Sequence, residues 1–210
     1  MARAVRYLAY ALLLAVAGTA AAQEMARYRV DVTFSWADPD LDAHWSRLIA
    51  FAHSSRYSLF QDGETASSGL ALVATNGRVS VLEAALAEGR RRGRVGAHLV
   101  LPGIESPGSF SFELDVDEKL NRIAFATMLA PSPDWFSGVS GIALRMDGLW
   151  RDRVEVPLWP WDAGADSGPE YTGPNVETPP RQSVRLLTHP DLLTADALKP
   201  IGQATFTRLP

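Results

Sequence analysis

Between Tyr28 and Phe34 apolar and polar side chains alternate strictly. Tyr28, Val30, Val32 and Phe34 fall on one side, and Arg29, Asp31 and Thr33 on the other. A period of two marks a strand with one face on a core and the other on water. Asp38-Pro39-Asp40 then breaks the run. The same alternation returns where Phe110, Phe112, Leu114 and Val116 are set against Ser109, Ser111, Glu113 and Asp115, and again at Val154, Val156 and Leu158. Ile123 to Thr127, Gly138 to Leu144, Val184 to Leu187 and Ala204 to Arg208 add further short strands. With Gly- and Pro-rich connections, the set predicts an all-β, antiparallel sandwich or barrel. Two stretches read differently. Trp45, Leu48, Ile49 and Ala52 recur at helical spacing, which predicts a short helix within 44–53. After the Asn76-Gly77 turn signal, Ser80 and Glu83 are spaced as a capping box. That predicts a second short helix, Val81 to Glu88, ended by Gly89 and Gly93. The segment from Asp162 to Pro180 is rich in Gly, Pro, Asp and Ser, the composition of a long loop that is either functional or unstructured.

The first 22 residues do not belong to this pattern. Arg3 and Arg6 precede an apolar run from Leu8 to Val16, and Ala20-Ala21-Ala22 supplies small residues before Gln23. This is the layout of a secretory signal peptide with cleavage after Ala22. The run is short for a membrane span, which needs about 20 apolar residues. The expected domain is therefore 23–210, secreted or periplasmic, with no transmembrane segment in the mature chain. Loss of Arg3 and Arg6 takes the formal charge from −4 to −6. An acidic balance argues against a nucleic-acid binder, which usually carries a basic stripe. Arg90-Arg91-Arg92 with Arg94 is the one basic run, and it reads as the solvated end of a helix. There is no cysteine, so packing rather than disulfides must hold an exported domain together.

Several ordered strings of Pro, Trp, Asp and Gly carry a resemblance. Pro131-Ser-Pro-Asp134-Trp-Phe-Ser-Gly138-Val resembles a conserved block of the spondin N-terminal domain. Trp150-Arg-Asp-Arg-Val-Glu-Val-Pro-Leu-Trp-Pro-Trp-Asp162-Ala-Gly-Ala-Asp166-Ser-Gly168 resembles a second block. Asn175 with Thr178-Pro179, the closing Pro200 to Leu209 segment, and His44-Trp45-Ser46 through Tyr57-Ser58 fit as well. The similarity runs from about Tyr28 to Leu209, as in a stand-alone bacterial-type member. It departs from the family in having Arg145 where a cysteine stands and in having no room for thrombospondin-type repeats. The family occurs in extracellular matrix proteins. The resemblance implies an antiparallel β-sandwich like the calcium-dependent membrane-targeting modules, with one or two short helices in the connections. It also implies a bound calcium ion and a role in adhesion or ligand recognition, with a surface protein or glycan as partner.

On that resemblance Asp115, Asp134 and Asp162 match the metal ligands, and Asp166 is a further candidate. Calcium takes six to eight oxygen ligands, largely carboxylates and carbonyls. Pro133 restricts the backbone around Asp134, and Gly164 and Gly168 permit tight turns nearby. The alternative for each aspartate is a turn cap, its carboxylate accepting backbone N–H bonds. Asp38, Asp40 and Asp42 imitate the opening of an EF-hand loop, but Ala43 and Ile49 stand where that loop needs Gly and Glu. Trp135, Trp159 and Trp161 flank the acidic segments and read first as packing residues, with stacking on a sugar as the alternative. His44, His53, His98 and His189 form no zinc pair, and no nucleophile-elbow pattern occurs. The sequence thus points to a calcium-stabilised binding module without catalysis. The alternatives are a hydrolase using an acidic cleft around Asp115 and Asp134, and a purely structural envelope protein.

Overall fold

The computed structural model describes residues 24–36, 42–194 and 197–210. The expected signal peptide, the cleavage point and the break at Asp38-Pro39-Asp40 lie outside those residues. The strict alternation of the first segment becomes β1 (Met25–Phe34), with every second side chain buried. In chain order there follow β2 (His44–Trp45), β3 (Leu48–His53), α1 (Ser68–Asn76), α2 (Ser80–Arg91), β4 (Val95–Leu101), β5 (Ile104–Glu105), β6 (Gly108–Asp117), β7 (Arg122–Ala130) and β8 (Trp135–Ala143). The last part holds β9 (Arg145–Met146), β10 (Leu149–Trp150), β11 (Arg153–Leu158), β12 (Pro160–Asp162), β13 (Arg185–Leu186), β14 (Leu193–Thr194), β15 (Ala197–Leu198) and β16 (Gly202–Arg208).

Two antiparallel sheets face each other. The first has the order β11-β16-β1-β6. The second runs β13-β12-β8-β7-β2-β5, with β3 pairing both β7 and β4. Between them lies one apolar core, in which Val30 and Phe34 of β1, Phe112 of β6 and Phe206 of β16 meet Leu48, Phe125 and Trp135. Phe34 and Trp45 stack with ring centroids 3.6 Å apart. Tyr28 buries its ring here while its hydroxyl donates to the Arg151 carbonyl at 2.5 Å, as a buried phenol must.

A second core lies on the outer face of the second sheet, where Leu70, Val73, Leu82 and Leu86 of the helices cover Ile49, Phe51, Ala126 and Phe136. The two short helices lie in the β3–β4 connection, as expected, and there they form a third layer. They approach closely because Gly69 has no side chain: a Cβ there would come within 2.8 Å of the Leu82 Cα.

The helix expected within 44–53 is two strands. All six residues of β3 are buried. Leu48, Ala50 and Ala52 enter the core between the sheets, and Ile49 and Phe51 enter the core under the helices. A strand covered on both faces loses its period of two, and Trp45, Leu48, Ile49 and Ala52 then match helical spacing by coincidence. The second expected helix exists but runs through Gly89 to Arg91, and its capping box does not form: Val79 is the N-cap and makes no side-chain cap bond. The true cap belongs to α1, which the sequence reading did not contain. Ser67 accepts from the Leu70 N–H, and Gly77 closes that helix in the left-handed region at φ 65°.

Candidate metal centre

Two loops at one end of the second sheet build an acidic cradle. The first leads into β8. Its Ser132 hydroxyl accepts the Trp135 N–H at 3.1 Å, fixing the turn on which Asp134 sits. The second begins where β12 ends, with Asp162 opposite Trp135 in the ladder. Gly164 then turns at φ 66°, and a Cβ there would collide with the Gln182 carbonyl, so only glycine fits. Backbone bonds from Gln182 to Gly164 (2.7 Å), Ser167 to Val176 (2.9 Å) and Thr178 to Ala165 (3.0 Å) pin the segment. The long loop expected from composition is therefore held rather than loose.

Three of the four predicted site residues meet here. Asp134 is fully buried, Asp162 is 6% exposed and Asp166 8% exposed. One oxygen of Asp134, Oδ2, accepts the backbone N–H groups of Ala165 (2.6 Å) and Asp166 (3.0 Å). The other, Oδ1, is buried without a hydrogen-bond partner. Asp162 accepts the Gly164 N–H through Oδ1 at 2.7 Å and the Arg185 guanidinium through Oδ2 at 2.8 Å. Asp166 accepts from Gly168 (2.8 Å) and Val176 (2.9 Å). All three side chains therefore act as turn caps, each accepting backbone N–H bonds.

Burial, and then repulsion from Asp162 and Asp166, pushes the Asp134 carboxyl up to about 6, against the pull of its two backbone bonds. A buried acceptor without a partner normally costs about 1–3 kcal/mol. Together these describe an excess of negative charge in a water-poor site. Arg185 is the counter-charge present, and it reaches Asp162 alone. With Asp162 turned to Arg185, the three carboxylates do not close on a common point: among the described residues no three His, Cys, Asp or Glu side chains stand where one ion could be held. Arg185 had no signal in the sequence beyond its place on an alternating strand.

Asp115 stands elsewhere. It lies on β6 in the first sheet, opposite Arg27 near the start of β1. Its carboxylate accepts the Arg27 guanidinium at 2.7 and 3.1 Å, and that bond holds it below the usual carboxylate range. The acidic cradle packs at the other end of β1, where Tyr171 lies between Trp36 and Trp135 at 5.8 and 5.7 Å. Asp115 is therefore not gathered with the other three, and no acid–base pair with Asp134 exists.

Beside the cradle is a cavity of about 420 Å³ whose walls include Trp135, Asp162, Asp166, Thr178, Arg185 and His189. Trp135 itself is buried and lies 4.7 Å from the His189 ring. Trp161 packs on Phe60 at 5.3 Å. Both take the packing role rather than an exposed stacking one.

The Spondin_N family model matches residues 26–195. Spondin-2 of Rattus norvegicus is 33% identical over 208 residues, which is 90% of this chain and 63% of that protein. Spondin-2 of Homo sapiens is 32% identical over 229 residues, 95% of this chain and 69% of that protein. Spondin-1 of Gallus gallus is 33% identical over 186 residues, 79% of this chain but 22% of that protein. The chain thus spans less than two thirds of the rat protein and about a fifth of the chicken one.

Proposed function

The chain belongs to the spondin N-terminal domain family, and from that premise we propose that it is an exported calcium-binding module that recognises a surface protein or glycan and performs no catalysis. One observation carries the calcium reading. Three aspartates from two pinned loops lie close enough for Asp162 and Asp166 to repel Asp134, and that most buried one has an oxygen with no partner. A hard divalent cation suits such a site, because it takes carboxylate and carbonyl oxygens and supplies the missing positive charge. Asp134, Asp162 and Asp166 would hold it. Asp162 would have to leave Arg185, so binding exchanges an intramolecular counter-ion for a metal. Held there, calcium would neutralise the cradle and tie the 163–184 segment to β8.

Recognition rather than chemistry is supported by what surrounds the carboxylates. The Ser167 hydroxyl donates to the Val176 carbonyl at 3.4 Å, and Asp115, the second carboxylate of the acidic-cleft alternative, sits in the other sheet. The cavity beside the cradle supplies a place where a ligand could meet both the ion and the Arg185 released from Asp162. Export rests on the residues before Gln23, and among the described residues no helix is long and apolar enough to cross a membrane. Calorimetric titration of residues 23–210 with calcium tests the reading. Wild type is expected to bind one ion, with Asp134→Asn and Asp162→Asn each losing it and Asp115→Asn keeping it. Absence of heat in wild type, or retention of binding by Asp134→Asn, refutes the site.

A further inference from the structure

The far end of β8 holds a second cavity, of about 720 Å³, walled by the turn after β3, the α2–β4 turn, the β6–β7 turn and the β8–β9 junction. Eight residue steps of about 3.3 Å each separate Trp135 from Ala143 along this strand, so the two cavities lie on the order of 26 Å apart. The chemistry here is the reverse of the acidic cradle. Six of the chain's 20 Lys and Arg residues line this cleft, namely Arg56, Arg92, Arg94, Lys119, Arg122 and Arg145, against a single carboxylate, Glu118. In a chain of net negative charge, that is a concentrated positive patch.

Local partners neutralise only part of it. Arg145 is held by Glu24 at 3.1 Å and Glu118 at 2.7 Å, and Arg92 by Glu88 at 2.7 Å. Arg56, Arg94, Lys119 and Arg122 have no carboxylate within salt-bridge reach among the described residues. Arg122 is half-buried. Its Nη1 donates to the Gly141 carbonyl at 3.2 Å, while its Nε is buried with no partner. The walls are firm. The Ser54 N–H donates to the Arg94 carbonyl at 2.9 Å, and Asp117 accepts the Lys119 and Leu120 N–H groups at 2.7 and 2.8 Å, which fixes the turn.

We propose that this basic cleft is an anion-binding site for a ligand bearing two or more phosphate or sulfate groups. Guanidinium forks match such oxyanions bidentately, and a concave wall of one sign raises the local concentration of the opposite one. The cleft is open to solvent, where single charge contacts are weak and screened by salt. Only a ligand with several charges engages enough of the four cations that reach no carboxylate to be retained.

The test uses inorganic tripolyphosphate as one ligand and mixed phosphatidylcholine–phosphatidylglycerol vesicles as the other. Binding by residues 23–210 is measured at low and moderate salt, with thermal unfolding as a check on the fold. The site predicts saturable tripolyphosphate binding that weakens at least about tenfold between 50 and 300 mM salt. Arg56→Ser with Arg94→Ser is expected to weaken it at least about tenfold more, each tenfold step being about 1.4 kcal/mol. Arg78→Ser, a single exposed cation outside the cleft, leaves binding unchanged. Vesicle binding lost in the same double variant assigns the phosphate to a lipid headgroup, and tripolyphosphate binding without vesicle binding assigns it to a soluble anion. No binding of either ligand, binding that the double variant retains, or equal loss in Arg78→Ser overturns the proposal. Failure here leaves the calcium reading untouched, since no residue is shared.

Discussion

The two ends of β8 carry opposite charge in opposite settings. At the Trp135 end three carboxylates are buried, and every one of them accepts backbone N–H bonds. At the Ala143 end Arg56, Arg94 and Lys119 are exposed and reach no carboxylate. Burial decides where charge turns into stability. A buried charge is tied to the fold by desolvation, so removing or protonating it changes the folding equilibrium. An exposed charge is screened by water and salt and acts chiefly on ligands. The acidic end should therefore answer to pH and metal through stability, and the basic end to salt through binding alone.

A glycine at each end separates the two settings by the largest margin. Gly164 and Gly93 both turn in the left-handed region, at φ 66° and 64°. A methyl at Gly164 would strike the Gln182 backbone, whereas nothing lies within 4 Å of one at Gly93. Gly164→Ala is expected to cost about 3 kcal/mol, summing left-handed strain and overpacking. Gly93→Ala should cost about 1 kcal/mol, from strain alone. Denaturant unfolding of both variants checks the pair, and equal costs would contradict a tightly built cradle.

Protonation gives a second test of comparable size. Asp134 is raised from its ordinary 3.8 to about 6 in the folded chain. A raised value means the folded state binds the proton more tightly. Its contribution is fully present below about 4 and is lost as pH rises through about 6, a loss on the order of 3 kcal/mol. The metal-free wild type should therefore lose stability relative to Asp134→Asn across pH 4–6, as read by urea unfolding in EGTA. Saturating calcium should remove the difference in slope, because the ion then balances the ionised carboxylate.

The smallest effect is expected at Asp115. Its pair with Arg27 is exposed, and such pairs contribute little. Asp115→Asn should leave both the melting temperature and the calcium response nearly unchanged. A lost calcium response would return Asp115 to the metal site that its sequence position suggested.

How much of this could be read in advance depended on how each element is buried. β1 and β6 have one wet face, so their alternation was plain and the β-sandwich followed from it. β3 is dry on both faces and read as a helix. The α1 helix is announced only by Ser67 and Gly77, which resemble ordinary loop residues until the Leu70 and Val73 bonds are seen. Asp134, Asp162 and Asp166 were legible because Pro, Trp and Gly surround them in a specific order. Arg185 was not, because a counter-ion needs proximity and no fixed spacing. The basic cleft draws its cations from four separate turns, and only Arg92 and Arg94 came from the basic run seen in the sequence. In that run Arg91 and Arg92 are bound to Glu88 and Arg90 to the Gly96 carbonyl, in keeping with a helix end, while Arg94 faces the cleft.

Thermal unfolding of wild type and Asp134→Asn at pH 7, in EGTA and then in millimolar calcium, separates a metal site from three turn caps. At about a hundred times its dissociation constant calcium should add roughly 2.7 kcal/mol, a rise of about 5–10 °C for a domain of this size. A convergence is expected: Asp134→Asn melts above wild type in EGTA, being free of the buried charge, and calcium closes most of that gap by raising wild type alone. A wild type indifferent to calcium, or a variant that gains as much from it, would contradict the account and leave the three aspartates as turn caps in a β-sandwich.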